Sequence, residues 1–416
     1  MKQKHLWIVI GLMVIASMML AACQPAAPAT EAPAEEAPAE EAAPAEEEVA
    51  EQPEMEATPT SQFMSMGDMQ YQIDLMTTEP ANPDAPLWEQ MLDPDNKGMV
   101  DTSAFKKDPP WHVCFSNASI ANSWRVVGNA ALEYEVSLHD EIGEFTVTDA
   151  QENPEKQISD IEDLLTKDCD IMIISPATTE ALTPAVEKAA ATGIPVVVFD
   201  RGVNTEDYTS FIHPIGGFAF GFAGAEWLAE AMGGKGNVLE IRILPGVDVL
   251  ETRWLAANEV FSKYPDINIV GAEFGEGDPG KVKAIVLDYL ERFGGEIDGI
   301  WTDYGGVSTG AYEAFVDYGA EVPPITAEDY NGWLKVWESE GLESISPNYP
   351  TYQWRTAVIA AVNILNGVEV PKEWILPQPS ITAADLAQFV RQDLPDGHFA
   401  MSGLPEDVVT ELWAGE

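Results

Sequence analysis

Five places in this 416-residue chain put hydrogen-bond donors, carboxylates and flat rings directly after a short apolar run. They are Ser116-Asn117-Ala118-Ser119-Ile120-Ala121-Asn122-Ser123-Trp124-Arg125, Asp200-Arg201, Pro245-Gly246 through Arg253, Asp303-Tyr304, and Glu328-Asp329-Tyr330-Asn331. Carboxylates accept hydrogen bonds, guanidinium forks donate them in pairs, and a Trp or Tyr ring covers an apolar C–H face. Such an inventory suits binding of a small polar molecule. It lacks a nucleophile–base pair: His5 lies in the leader, and His112, His139, His213 and His398 stand in no partner motif. Five His and three Cys without C-x-x-C or H-x-x-x-H spacing leave too few ligands for a zinc site, so neither metal nor cofactor is expected.

Gly275-Glu276-Gly277-Asp278-Pro279-Gly280-Lys281 satisfies both G-x-G-x-x-G and G-x-x-x-x-G-K. The next residue is Val282, which has no hydroxyl to hold magnesium, so the segment reads as a tight turn before a Pro-started helix.

The elements that must position these residues follow from periodicity. From Trp111 onward, apolar β-rich runs at 111–115, 143–148, 170–174, 195–199, 237–242, 267–272, 298–302 and 324–327 read as strands. Amphipathic segments at 122–137, 154–168, 179–192, 217–232, 251–263, 279–293, 307–318 and 351–366 read as the helices between them. The alternation predicts an α/β fold of two doubly wound parallel-sheet lobes with a hinge between them. In such sheets ligands bind beyond the carboxyl ends of the strands, where the polar and aromatic segments lie.

The chain is 46% hydrophobic, enough for a sizeable core, and its formal charge is −49. That charge repels nucleic acid and anionic membrane surfaces. Lys2 and Lys4, the uncharged run from Leu6 to Leu20 and Ala21-Ala22-Cys23 form a secretory leader over 1–22. Its fifteen-residue apolar run spans only about 22 Å as a helix, short of a bilayer core. Residues 24–60 are Ala, Pro, Glu and Thr with eleven Glu and no Lys or Arg, so 23–60 is expected to be a disordered tether reaching roughly 110 Å. Residues 61–110 read as a partly ordered lead-in. Residues 61–416 hold 59 acids against 19 bases, so most of the acidity belongs to the folded part and its lead-in.

Leu20-Ala21-Ala22-Cys23 looks like the lipobox of bacterial lipoproteins, which implies lipidation at Cys23 and an extracytoplasmic, lipid-anchored protein. Trp111 to about Pro379, some 270 residues, resembles the substrate-binding proteins of bacterial ABC sugar importers, in the ribose, galactose and galactofuranose branch of the type I periplasmic-binding fold. The carriers are Ser116 through Trp124-Arg125, Asp149 through Gln157, Ile173-Ile174-Ser175-Pro176-Ala177, and Gly193-Ile-Pro-Val-Val-Val-Phe-Asp200-Arg201. Gly246 with Arg253, Asp303-Tyr304 with Gly310-Ala311, Asp329, and Asn348-Tyr349-Pro350 continue the match.

The resemblance implies a sugar site at Asn117, Asn122, Trp124, Arg125, Asp200, Arg201, Arg253, Asp303, Tyr304, Asp329 and Asn348. It also implies an ABC permease as partner, a monomer, and no catalysis. A receptor reporting to a membrane sensor and an exported carbohydrate-acting enzyme are the alternatives. Where relatives carry a second ring after 267–272, this chain has Gly277, and Tyr304 is a candidate replacement.

The resemblance places the crossings between the lobes near His213–Gly216, Asn348–Tyr352 and Pro371–Trp374. This divides the fold into a first lobe of 111–213 plus 351–370, a second of 214–350 plus 371–382, and an extension over 383–416. Trp124 could instead be core, Asp200 could cap a turn, and Arg253 could pair with Glu251 or Glu259. Aligning Ser116 with Ser175 separates Cys114 and Cys169 by roughly 13 Å along the strands, so both are expected as buried free thiols.

Overall fold

The computed structural model describes residues 65–415. The leader, Cys23 and the tether lie outside these residues. A helix α1 (Met66–Leu75) and a two-residue strand β1 (Met99–Val100) precede the first lobe. That lobe is built from β2 (Trp111–Asn117), α2 (Ser123–Ser137), β3 (Ile142–Asp149), α3 (Pro154–Leu164), β4 (Ile171–Ser175), α4 (Thr179–Ala191), β5 (Val196–Phe199) and β6 (Ser210–Pro214). The second lobe comprises α5 (Gly217–Ala231), β7 (Lys235–Arg242), α6 (Asp248–Phe261), β8 (Asp266–Phe274), α7 (Pro279–Arg292), β9 (Gly299–Thr302), α8 (Ser308–Tyr318), β10 (Ile325–Thr326), α9 (Asn331–Glu340) and β11 (Ser344–Pro347). The chain then returns through α10 (Gln353–Asn366), β12 (Val370–Pro371), β13 (Glu373–Leu376) and β14 (Ser380–Ile381), and ends in α11 (Leu386–Phe389) and α12 (Glu406–Leu412). Among the described residues no helix is long and apolar enough to cross a membrane.

The first sheet runs β13-β6-β5-β4-β2-β3 with all strands parallel; the second runs β14-β11-β10-β9-β7-β8, parallel except for β14. The strand interiors are buried on both faces, as parallel sheets flanked by helices require: Val113, Phe115, Ile173 and Val197 on one face and Cys114, Met172, Ile174 and Val198 on the other are all 0% exposed. Chain order reverses between β2 and β4 in one lobe and between β7 and β9 in the other, so each lobe opens a crevice there.

Helix starts carry their own signals. Asn122 caps α2 by accepting from the Arg125 amide at 2.9 Å, and Asn153 caps α3, with Pro154 in its first turn. The Gly275–Lys281 segment is a turn whose Asp278 carboxylate accepts from the Gly280 and Lys281 amides at 2.7 and 3.2 Å, while Lys281 pairs with exposed Glu276. The donors a phosphate would need are thus already engaged.

Six strands are absent from the sequence reading; Met99–Val100 and Val370–Pro371 pair with each other, and four join the two large sheets. Ser210–Pro214, Ser344–Pro347, Glu373–Leu376 and Ser380–Ile381 are too short or too polar to show a period, yet the first two add an inner strand to each sheet and the last two form its edge. The pairing of Glu373–Leu376 with Phe211–Pro214 puts that stretch in the first sheet, correcting its assignment to the second lobe. The third crossing accordingly falls after Leu376, and β14 alone of the 371–382 stretch pairs in the second sheet.

The lead-in is more ordered than expected. Met69 packs with Phe218 and Ala256 of the second lobe, and Leu75 joins Leu92, Ile215, Ala219 and Ile375. Leu92 donates to the Ile375 carbonyl at 2.9 Å, and β1 pairs with β12.

Cys114 and Cys169 form a disulfide with Cα atoms 5.8 Å apart, which corrects the expectation of free thiols. Two assumptions in the strand extrapolation fail. The register sets Cys114 opposite Met172, and Cys169 is not part of β4. The chain turns through Asp168 at φ 54° before the strand begins, bringing Cys169 into the cluster that Cys114 shares with Ile161 and Leu164.

Candidate functional site

A cleft opens between the carboxyl ends of the two sheets, where ligands of such folds bind. From the first lobe, Asn122, Trp124 and Arg125 reach it from the start of α2, Glu152 from the exit of β3, and Asp200 and Arg201 from the exit of β5. From the second lobe come Ile243, Leu244, Val247, Val249, Leu250 and Arg253 around the start of α6, Tyr304 after β9 and Glu328 after β10. Tyr349, on the crossing between β11 and α10, completes the lining.

The charged groups are interlocked. Arg125 is 2% exposed; its Nη2 donates to Asp200 Oδ2 at 2.9 Å and its Nε lies 3.4 Å from Glu152 Oε1. Burial disfavours the Arg125 cation and is the main cause of its lowered pKa, with Arg201 adding repulsion against the pull of Asp200 and Glu152. Arg201 Nη1 donates to Glu152 Oε2 at 3.1 Å and to the Ala177 carbonyl. Burial raises Glu152, but Arg201 and Arg125 together outweigh it and hold this carboxyl below its usual value. Two carboxylates, Asp200 and Glu152, thus hold both guanidinium forks before any ligand arrives.

On the other wall Arg253 is 4% exposed, donates to the Asp303 carbonyl, lies 3.7 Å from Glu328, and stacks 3.9 Å over the Phe220 ring. Neither Glu251 nor Glu259 takes it; Glu251 instead accepts from Arg242 at 2.5 Å. The Trp124 indole donates to the Tyr349 carbonyl at 2.8 Å, and the Tyr349 hydroxyl donates to the Asp200 carbonyl at 2.8 Å. These two bonds tie the ring that faces the cleft to the crossing strand. Trp124 is therefore both packed and part of the wall. Asp200 sits at φ 70°, a left-handed conformation that Asp and Asn tolerate better than most residues.

Of the sequence-predicted residues, Asn122, Trp124, Arg125, Asp200, Arg201, Arg253 and Tyr304 converge on the cleft. Four lie elsewhere. Asn117 is buried at the end of β2, where its side-chain oxygen accepts from the Ser119 amide at 3.3 Å. Asp303 is buried beneath Arg253, and neither of its carboxylate oxygens meets a donor in good geometry. Asp329 is taken by the C-terminal extension: its Oδ2 accepts from the Met401 amide at 2.6 Å, and its carbonyl from the Ala400 amide. Asn348 donates to the Pro379 carbonyl at 2.7 Å and so joins two crossings.

Glu152, Glu328 and Tyr349 lie within segments already singled out in the sequence, yet only the fold shows that their side chains point into the cleft. Phe399 of the extension backs the Tyr304 ring at 6.4 Å between centroids, a support that nothing local in the sequence announces. A smaller cavity on the hinge side shares Asp200, Arg201, Val249 and Tyr349 and is lined also by Gln72 of α1. Gln72 Oε1 accepts from the Ala219 amide at 3.3 Å near the start of α5.

Metal chemistry finds no free ligand set here. Among the described residues, the one group of candidate ligands close enough to share an ion is His112, Cys114 and Cys169, and its two sulfurs are joined to each other.

Four carboxyls of the second lobe are raised by burial: Glu240, Asp303 and Asp329 to about 7, and Glu328 to about 8. Each keeps its proton in the folded state over a range where the unfolded chain has lost it, so stability falls as pH rises from about 5 to about 8. His398, lowered to about 4 chiefly by burial, acts oppositely below its usual value of about 6.5, as a single group against four. Thermal melts without ligand are expected to give a higher midpoint at pH 5.5 than at pH 8. A midpoint that rises across this interval would contradict these protonation states.

A family model described as a periplasmic binding protein domain matches residues 113–369. The chain is 22% identical over 281 residues to the xylitol-binding protein of Mycolicibacterium smegmatis, covering 63% of this chain and 80% of that one. It is 25% identical over 226 residues to the ribose import binding protein RbsB of Bacillus subtilis, covering 54% and 73%. An ABC transporter solute binding protein from Thermobispora bispora superposes with a TM-score of 0.65 at 24% identity, covering 72% of this chain and 94% of that one, and so shares the fold. The match spans the central strands of both sheets, both crevices and the first two crossings, and by it the chain belongs to the periplasmic binding protein domain family.

Proposed function

We propose that this protein captures a neutral monosaccharide or small polyol in the cleft outside the cytoplasm and delivers it to the permease of an ABC importer, without altering it. One observation carries the ligand class: every guanidinium lining the cleft lies within ion-pair distance of a carboxylate that also lines it. Such a wall sets an acid group beside each guanidinium, with burial holding Glu328 protonated up to about pH 8, and is rich in both donors and acceptors. It suits hydroxyls, which donate and accept together, better than a net anion or cation. Trp124 and Tyr304 supply flat surfaces for the C–H face of a ring. The names of the xylitol-binding and ribose import binding relatives agree with this class.

The mechanism follows from placement. Arg125, Asp200 and Arg201 belong to one lobe, and Arg253, Tyr304 and Glu328 to the other. A ligand touching both sets favours the closed arrangement by its differential affinity, and the joined surfaces of the closed form are what a permease reads. Residues 1–60 support an anchoring role in which lipidated Cys23 holds the protein at the membrane and the acidic tether gives it reach. We take the working unit to be a monomer.

A thermal-shift panel of pentoses, hexoses, polyols and amino acids tests the reading. One or a few sugars or polyols are expected to raise the melting point, with about 2.7 kcal/mol of stabilisation at a hundredfold excess over Kd, and amino acids are expected to give no change. No response to any carbohydrate beside a clear response to another ligand class would overturn it.

A further inference from the structure

The two walls of the cleft differ in chemistry, and we infer that the ligand carries the matching asymmetry: it is a deoxy sugar, with its methyl or deoxy carbon turned toward the second lobe. This rests on the carbohydrate reading and narrows it. The first-lobe wall presents Asn122, Arg125, Glu152, Asp200 and Arg201, with the Trp124 ring as its single apolar member and no aliphatic side chain. The second-lobe wall presents five aliphatic side chains within eight residues, Ile243, Leu244, Val247, Val249 and Leu250, beside its polar members Arg253, Tyr304 and Glu328.

The loop that carries these aliphatic groups has much of its own polarity engaged. Pro245 has no amide hydrogen. The Gly246 amide donates to Glu251 Oε1 at 2.8 Å, and the Ile243 carbonyl accepts from the Glu276 amide at 3.1 Å. The Val247 carbonyl accepts from the Leu250 and Glu251 amides, and the Val249 carbonyl accepts from the Thr252 hydroxyl at 3.0 Å. A hydroxyl directed at the side chains of Ile243, Leu244 and Leu250 leaves water and meets carbon, whereas a methyl group there is buried at no polar cost.

Calorimetric titration of the purified protein with matched pairs tests the inference: L-fucose against L-galactose, L-rhamnose against L-mannose, D-fucose against D-galactose, and 6-deoxy-D-glucose against D-glucose. In at least one pair the 6-deoxy sugar is expected to bind about ten- to a hundredfold more tightly than its 6-hydroxy counterpart. Leu244→Asn, at a partly exposed position, and the near-isosteric Val249→Thr should each shrink that ratio, chiefly by weakening the deoxy sugar. If the 6-hydroxy sugar binds equally or better in every pair that binds, the inference is overturned and the broader carbohydrate reading stands. If no sugar of either arm binds while a pentose or polyol does, the inference is overturned and the broader carbohydrate reading stands; if no sugar or polyol binds while another ligand class does, both are overturned.

Discussion

Replacing Asp200 with Ala is expected to abolish sugar binding and to cost about 3–5 kcal/mol of folding stability, the range for breaking a buried ion pair from one side. The Arg125 guanidinium is almost completely buried, with Asp200 as its closest charge partner at 2.9 Å. Its other contacts are Glu152 at 3.4 Å, itself partly exposed, and the Ser175 hydroxyl at 3.4 Å. Without Asp200 that cation is left in the interior with a weaker counter-charge. Ala also tolerates φ 70° less well than Asp does. The sequence alone suggests a binding defect with a stability change of about 1–2 kcal/mol, because it shows the carboxylate without showing what lies buried against it. Asp200→Asn keeps the backbone conformation and one acceptor, so it should lose binding while losing less stability. Denaturant titration alongside sugar titration separates the two effects, and an Asp200→Ala protein that binds as the wild type would remove Asp200 from the site.

Removal of the Cys114–Cys169 bridge is the second large effect. The residues are 55 apart in sequence, and closing a loop of that size restricts the unfolded chain by about 4 kcal/mol. Cys114→Ser with Cys169→Ser should therefore lower stability by about that amount, with sugar affinity little changed, since neither residue lines the cleft. Thiol titration of the denatured, unreduced protein should find neither thiol free. An unchanged denaturation midpoint in the double variant, or two reactive thiols from this pair, would contradict the bridge.

How much of this was legible in the sequence depends on how local the signal is. Eight strands and eight helices follow from apolar period and Pro or Asn start signals, and the residues after those strands include Trp124, Arg125, Asp200, Arg201, Arg253 and Tyr304, all of which meet in the cleft. Three of the misassignments share a cause: a contact made by chain far away in sequence. Asp329 follows β10 where a ligand acceptor is expected, but residues 400–401 fold over it and take its hydrogen bonds. Asn348 is drawn to Pro379 on a neighbouring crossing, and Glu373–Leu376 pairs with a strand about 160 residues earlier. The helix at Asn331–Glu340, with Trp333, Leu334 and Trp337 buried on one face, does carry a helical period and was readable in principle. The disulfide was not, because it depends on a turn at Asp168 that takes the chain out of line with the strand.

Closure around a bound sugar is the central claim, and the distance between the two rims of the cleft reports it directly. Ile120, in the loop after β2, and Glu276, in the loop after β8, are both exposed and lie on opposite lobes. Spin labels on Ile120→Cys and Glu276→Cys, with Cys23 replaced by Ser, allow pulsed dipolar measurement with and without the sugar that gives the largest thermal shift. The account predicts a shorter, narrower distance distribution on addition of that sugar and no change with an amino acid. A distribution left unmoved by a sugar that demonstrably binds would contradict capture between the lobes.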